Sequence, residues 1–408
     1  MNITIICIGN ELLSGKTINT NATWLGKKIN SIGHYVHKQI VIPDDTSIIK
    51  KTLSGLIMNK EIDGCLIITG GLGPTHDDVT RKSIFEFFGS EEKFDIKYWE
   101  DLKNRFKQNN IEIPLSNKSQ ALIPDNGDVI DNPIGSARGY KFNKGRTTTF
   151  SLPGVPSEMK AMTEASIIPW LKQKSEKKIH EMTIRTTGIP ESILMDEISS
   201  VLKDNQECKI GFYPSLFGVD IQLSSKLKKR TTELAKNISN ILGHNIFGYN
   251  KDSMEKIVVK MAMKKKLTFS FAESCTGGLL GHRITEVPGS SDIFKGGAVV
   301  YSDDAKISVL GVDKRFIKKY GAVSKQTAKI MAEKVRSIFK SDYGVSVTGI
   351  AGPGGGTKKK PVGLVYVALS DNEGSKVKKL NFSHGRKKNK LRTSQVVLNL
   401  MRLEMMNV

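Results

Sequence analysis

Short apolar runs that end at glycine turns, alternating with amphipathic stretches, restrict the fold of this chain more than any other feature. Ile3 to Ile8 stops at Gly9, a helical pattern runs from Asn21 to Ile32, and Val36 to Ile42 is apolar again. Ser47 to Met58 is amphipathic, and Cys65 to Ile68 leads into Thr69-Gly70-Gly71. Strand, helix, strand, helix, strand in that order predicts a wound α/β sheet with parallel neighbours.

The same texture returns from about Lys251. Asp252 and Ser253 are placed to cap a helix through Met263, and Leu267 to Phe271 is a predicted strand running into Ala272-Glu273-Ser274-Cys275-Thr276-Gly277-Gly278. Further strands are expected at Gly297 to Tyr301, Tyr343 to Thr348 and Gly363 to Leu369, with helices at Lys325 to Lys340 and Lys390 to Glu404. Between the two α/β parts, Met182 to Thr187, a helix from Ile189 to Leu202 opened by Pro190 and Glu191, Lys209 to Pro214 and Val219 to Leu223 read as a small α+β module. The expected fold class is α/β: two domains with mainly parallel sheets, residues 1–165 and 251–408, joined by a linker or dimerisation module at 166–250. A length of 408 residues fits this plan, at roughly 100 to 200 residues per domain.

No apolar run approaches the length of a bilayer span, and Met1 to Gly9 reads as a first strand and not as a signal. The four cysteines are far apart with no CxxC or Cys/His spacing, which argues against a disulfide framework or structural zinc and fits a reducing cytoplasm. Sixty-two Lys plus Arg against 41 Asp plus Glu give a net charge of +21. The densest runs, Lys264 to Lys266, Lys358 to Lys360 and Lys387 to Lys390, carry no interleaved aromatics for base stacking, so a solvated basic surface is the expectation and nucleic acid is not.

The segment Thr69-Gly70-Gly71-Leu72-Gly73-Pro74-Thr75-His76-Asp77-Asp78-Val79-Thr80 follows a buried strand and precedes a helix. Its glycines let backbone amides approach a phosphate, and Asp77 and Asp78 either cap the helix or hold a divalent cation bridging to phosphate oxygens. Gly9 to Gly15 mimics a P-loop but has five residues between its glycines where four are needed, one of them acidic, so a Walker nucleotidase is not expected. Glu11, at the carboxyl edge of the sheet, remains a candidate metal ligand or ligand-binding carboxylate.

Together with Gly9 to Gly15 and Thr69 to Thr80, Asn132-Pro133-Ile134-Gly135-Ser136-Ala137-Arg138-Gly139 and Leu152-Pro153-Gly154-Val155-Pro156-Ser157-Glu158-Met159 resemble the molybdopterin-binding-like domain of the CinA family, the competence/damage-inducible protein A. The chain has Arg138 where the family usually has proline. The resemblance implies an α/β sandwich and, in some relatives, metal-dependent hydrolysis of the pyrophosphate of ADP-ribose; related domains instead bind molybdopterin. The glycine loop offers nucleotide contacts from Thr69, Gly70, Gly71, Gly73, Pro74, Thr75 and Asp77, and residue type and loop position make Glu11 and Asp78 the candidate ligands of a metal of unspecified identity.

In the last third, Ser274 sits where a strand ends and a helix begins. The residues alone leave it either a helix cap or a nucleophile with nearby amides for an oxyanion. Cys275 is intrinsically more nucleophilic when ionised, but nothing adjacent in sequence lowers its pKa. There is no Gly-x-Ser-x-Gly elbow, and His282 and His384 have no triad context. A lysine can act as base where burial lowers its pKa, and spacing does not choose one.

Ala272 to Gly278, Gly297 to Lys306 and Thr348-Gly349-Ile350-Ala351-Gly352-Pro353-Gly354-Gly355-Gly356 resemble the CinA C-terminal domain and the stand-alone nicotinamide-nucleotide amidohydrolase. The resemblance implies a Ser274 nucleophile with Lys306 as its base. It also implies conversion of nicotinamide mononucleotide to nicotinic acid mononucleotide and ammonia with no cofactor, substrate contacts at Thr276, Gly277, Tyr301, Thr348, Gly349, Gly352, Gly354 and Arg386, and a homodimer. Asp303 and Asp304 replace the usual Asn-Glu pair, and Gly385-Arg386 lacks the usual intervening aspartate. Arg392 is a second arginine available to phosphate.

Overall fold

A computed structural model describes every residue except 59–63, 175–178, 204, 206 and 408, and the chain divides into two units, Met1–His180 and Glu181–Val408. In the first unit β1 (Asn2–Ile8), β2 (Val36–Ile42) and β3 (Gly64–Thr69) carry the apolar runs, with β4 (Glu92–Phe94) and β5 (Leu122–Pro124) forming a separate ribbon. With β6 (Asp128–Ile130), β7 (Gly139–Lys144) and β8 (Thr147–Leu152) they give a sheet of order β2-β1-β3-β8-β7-β6. The first four strands are parallel and the last two antiparallel.

All six residues of β3 are buried, as expected of a strand covered on both faces. Ile3, Ile5 and Ile67 pack with Leu25 and Met159 on one side, while Ile6, Ile8, Leu66 and Ile68 pack with Ile49 and Phe85 on the other. β1 and β3 end together at Gly9 and Gly70, and a Cβ on Gly70 would fall 2.1 Å from the Ile8 carbonyl. Only glycine therefore allows the two loops to meet at the carboxyl edge of the sheet.

The expected domain edge at 165/166 falls inside a helical run made of Pro156–Met162, a π turn Thr163–Ile167 and Ile168–Lys174. Pro169 has no N–H to donate, and the widened turn just before it absorbs the mismatch, so the sequence texture changes while the helix continues.

Strand β9 (His180–Thr186) leads from the last residue of the first unit into the second, where it joins β10 (Lys209–Pro214), β11 (Val219–Ser225) and β12 (Ile246–Tyr249) in the order β10-β11-β9-β12. The single helix expected over Ile189 to Leu202 is two, Glu191–Glu197 and Ser199–Lys203, hinged at the fully buried Ile198.

A second sheet follows, with strands β13 (Phe269–Glu273), β14 (Phe294–Val299), β15 (Tyr343–Gly349), β16 (Leu364–Ser370) and β17 (Ser375–Asn381) in the order β14-β13-β15-β16-β17. Its first three strands are parallel and the rest antiparallel. Phe269 and Phe271 face the helices Met254–Lys265 and Arg386–Asn407, whereas Ser270 turns to the opposite helix Lys325–Phe339 and donates to the Val335 carbonyl. This alternation is the period-two signature of a strand covered on both sides.

The strand expected at Gly297 to Tyr301 starts earlier, at Phe294, and the one expected from Leu267 begins at Phe269. β17 was not anticipated. It is a lysine-rich edge strand, and exposed lysines of that kind protect an unpaired edge while hiding its strand pattern. Ser253 caps the Met254–Lys265 helix, while Asp252 instead accepts from the Tyr249 amide at 2.8 Å.

Arg402, 3% exposed, joins the last helix to the preceding module within this unit. It donates to the carbonyls of Ile246 at 3.1 Å and His244, and to Asn399 Oδ1 at 3.0 Å. Arg402→Met leaves buried carbonyls unpaired, so urea unfolding should show a loss of about 2 to 4 kcal/mol; an unchanged curve would remove this link from the account.

Candidate active site

Ser274 lies one residue past β13, where its amide donates to the Val347 carbonyl at 2.9 Å and its carbonyl accepts from the Gly277 amide at 3.1 Å. Gly277 and Gly278 both adopt left-handed φ angles, +60° and +87°, which turn the chain abruptly into the helix Leu279–Thr285. The buried Glu273 carboxylate locks this turn by accepting from the Leu280 amide at 3.1 Å and the Gly281 amide at 2.9 Å. The helix end is thus capped by Glu273, not by Ser274.

Lys306 approaches from the neighbouring edge of the sheet. Ser302, just beyond β14, caps the helix Asp303–Ser308 by accepting from the Ala305 amide at 3.0 Å, which turns Lys306 inward. The lysine is 1% exposed, and its Nζ lies 3.3 Å from Ser274 Oγ. It also lies 3.0, 3.4 and 3.3 Å from the carbonyls of Val300, Tyr301 and Ser302. Loss of hydration pushes its pKa down from the usual lysine value; Asp303, 3.9 Å away and more than half exposed, pulls it back up, and Cys275 adds a smaller upward pull. An uncharged amine here satisfies its two N–H groups on carbonyls and keeps a lone pair for the Ser274 hydroxyl.

Cys275 is 6% exposed, and burial pushes its thiol up to about 12, so it is protonated near neutral pH. His282 is exposed, and His384 is engaged by Arg392 at 3.1 Å.

The remaining expected site residues fall into distinct positions. Arg386 donates to the Gly352 carbonyl at 2.8 Å and to the Tyr301 hydroxyl, tying the glycine-rich loop to the residue beside Lys306's carbonyls. Thr348 is buried, and its hydroxyl donates to the Ala322 carbonyl at 2.7 Å, a structural use. Gly349 closes β15 against β16, and Gly354 stands clear, with open space where a side chain would be. Thr276 is fully buried with an unpartnered hydroxyl. Two residues not singled out in the sequence also arrive here. Asn389 donates to the Ala351 carbonyl at 3.0 Å, and a Cβ on Gly277 would lie 3.4 Å from Lys390 Nζ. Their signal was the spacing: positions 386, 389 and 390 share one face of a helix.

In the first unit, a cavity of about 450 Å³ opens at the carboxyl edge of the sheet. Gly70, Gly71, Gly73, Pro74, Asp77, Asp78 and Glu11 line it. Thr69 and Thr75 do not: Thr69 is buried and donates to the Pro153 carbonyl at 2.9 Å, and Thr75 donates to Asp78. Asp44, Asn117, Gln120 and Glu158 line the cavity unforeseen. Asp44 is shifted upward chiefly by loss of hydration, with the charges of Glu11, Asp78 and Asp77 adding to the rise and the Asn10 amide, which donates at 2.9 Å, opposing it.

Asn132 organises the opposite wall, donating to Glu158 at 2.6 Å and to the Ala137 carbonyl at 2.9 Å. Arg138, in the usual proline position, pairs with Asp95 at 2.9 Å and stacks 3.8 Å above the Tyr98 ring, whose hydroxyl donates to the Ser136 carbonyl at 2.8 Å. Among the described residues no three His, Cys, Asp or Glu side chains form a group able to hold a metal ion. The acidic residues line the cavity without making a ready cage. No helix among the described residues is long and apolar enough to cross a membrane.

Three family models match consecutive parts of the chain: a "Probable molybdopterin binding domain" over residues 4–173, a "Damage-inducible protein CinA KH domain" over 181–248, and a "CinA C-terminal domain" over 251–405. The chain is 36% identical over 406 residues to a competence-damage inducible protein of Caldicellulosiruptor bescii, covering 98% of each chain. It is 38% identical to that of Halothermothrix orenii, covering 96% of this chain and 95% of the relative. A solved structure of the competence/damage inducible protein CihA from Agrobacterium tumefaciens is 37% identical over 38% of this chain and 93% of its own, with a TM-score of 0.36. KH modules clamp nucleotides with a GXXG loop between helices; here only Ile198 separates Glu191–Glu197 from Ser199–Lys203, and neither helix contains glycine.

Alkylation checks the reading of the thiols. At pH 8 the native protein should label first at the partly exposed Cys208, with Cys275 protected until unfolding. Labelling of Cys275 at a rate matching Cys208 would reopen its case as nucleophile.

Proposed function

Since this chain belongs to the CinA family of competence/damage-inducible proteins, we propose that its C-terminal domain hydrolyses the carboxamide of nicotinamide mononucleotide. The observation that carries this reading is the buried Lys306 amine 3.3 Å from Ser274 Oγ, with burial as the main influence on its pKa and that influence downward. The Ser274 oxygen attacks the carboxamide carbon while its proton passes to Lys306 Nζ. The resulting oxyanion faces amides of the turn after Ser274, whose glycines let the backbone close around it.

Lys306 then returns the proton to the departing nitrogen. The C–N bond breaks, ammonia leaves, and a nicotinyl ester remains on Ser274. Water attacks that ester with Lys306 again taking the proton; the acyl–Oγ bond breaks, Lys306 returns the proton to Ser274 Oγ, and nicotinic acid mononucleotide is released. Tyr301, Arg386 and the loop from Thr348 to Gly354 form the side of the site on which the nucleotide would lie.

A second reading concerns the N-terminal domain and is favoured by its cavity of about 450 Å³, in which a glycine-rich loop meets Glu11, Asp44, Asp77 and Asp78. We propose that it takes the pyrophosphate of ADP-ribose, with Glu11 and Asp78 as ligands for a divalent cation that would offset phosphate charge. Formation of AMP from ADP-ribose with added magnesium or manganese is the expected product; tight binding without AMP would make this domain a binding module instead.

For the amidase, Ser274→Ala should lower ammonia release by at least about 1000-fold. Lys306→Arg should do nearly as much damage although it keeps the charge, because a guanidinium does not give up its proton. Chelators should leave this activity intact. The rate should rise with pH as the Lys306 ammonium deprotonates, with an apparent pKa below the usual lysine value of 10.5. Full activity retained in Ser274→Ala would refute the assignment.

A further inference from the structure

We infer that Lys390 is the cation that receives the substrate's phosphate, a specificity-determining contact at the site where the amidase reading places nicotinamide mononucleotide. The inference rests on that reading for the identity of the ligand, and on four independent observations for the residue.

Lys390 Nζ occupies the space beside Gly277 that a side chain would otherwise fill, 3.4 Å from the position of a Cβ there. Gly277 is three residues beyond Ser274, so the ammonium stands at the rim of the nucleophile's own turn. The lysine is half-buried, and among the described residues no hydrogen bond or ion pair engages it. The arginines of the same helix are engaged, Arg386 with Gly352 and Tyr301, Arg392 with His384, and Arg402 with Ile246 and His244, while Lys387 and Lys388 are exposed and do not share the face of Arg386, Asn389 and Lys390. Two polar atoms flanking the contact in the chain, Thr276 Oγ1 and Asn389 Oδ1, are buried and unpartnered as well.

An ammonium held beside the nucleophile's turn with no counter-charge is open to an anion that binds there. Arg386 already has two of its donors committed, so the helix face that brings Arg386, Asn389 and Lys390 together leaves the lysine as the free charge for a phosphate dianion. A compact ammonium suits that role as a point charge. Asn389 fixes its position by holding the Ala351 carbonyl at 3.0 Å.

The test separates this contact from the chemistry. In full-length protein carrying Ser274→Ala, calorimetry would compare nicotinic acid mononucleotide with nicotinic acid riboside, which lacks the phosphate, at two salt concentrations. Adding Lys390→Met should reduce the preference for the mononucleotide over the riboside by about 10- to 100-fold. It should also flatten the salt dependence, and Lys390→Arg should recover most of the preference. Equal loss on both ligands, or no loss on either, overturns the proposal. Because binding is read in a protein that does not turn over, absence of amidase activity in the parent would count against the amidase reading alone.

Discussion

The burial of one amine governs the C-terminal site. Lys306 is enclosed by the carbonyls of Val300, Tyr301 and Ser302, with Asp303 as its nearest carboxylate at 3.9 Å and partly in solvent. Each carbonyl dipole favours an ammonium, but removal from water disfavours it more, and the net shift is downward. The same burial fixes the side chain within reach of Ser274. Geometry and protonation state therefore have one cause, the short helix Asp303–Ser308 that folds Lys306 under β14 and β13.

The rest of the C-terminal domain can be understood as support for that pair. Glu273 anchors the turn from β13 into the helix, so Ser274 cannot drift along the sheet edge. Arg386 and Asn389 hold Gly352 and Ala351 of the glycine-rich loop from the last helix. Three segments distant in sequence thereby converge through side-chain hydrogen bonds to backbone. The N-terminal domain uses a related device at the edge of its own sheet. Asn132, Glu158 and the Arg138–Tyr98 stack hold one wall of its cavity, while Gly70 lets the opposite loops approach. The arginine that replaces the usual proline supplies by ion pairing and stacking a rigidity that a proline ring would give through its fixed φ.

Much of this was legible in the sequence. Fully buried parallel strands such as β3 announce themselves as continuous apolar runs, and glycine turns mark their ends. Strand β17 was hidden because four of its seven residues are exposed, and an edge strand protected by lysine resembles a surface loop. The domain edge expected at 165 falls within a helical run that continues through Pro169, because a π turn that accommodates proline has no sequence signature of its own. At the site, Ser274 and Lys306 needed the family's motifs, since a lysine base among so many lysines is defined by burial, which spacing does not encode. Asp44 escaped for the same reason: it reaches its cavity from beyond β2, and only the tertiary fold shows which way it points. Lys390 shares a helix face with Arg386, a spacing the sequence does carry, but its approach to Gly277 is visible only in the fold.

The most direct measurement of the central claim is the titration of Lys306 itself, followed by carbon-13 NMR of the lysine ε-methylene groups in labelled protein, with Lys306→Met used to identify its signal. The account predicts a resonance that titrates below the ordinary lysine value of 10.5 and moves when nicotinic acid mononucleotide is added. A Lys306 that stays protonated up to or beyond that value would contradict its role as the base.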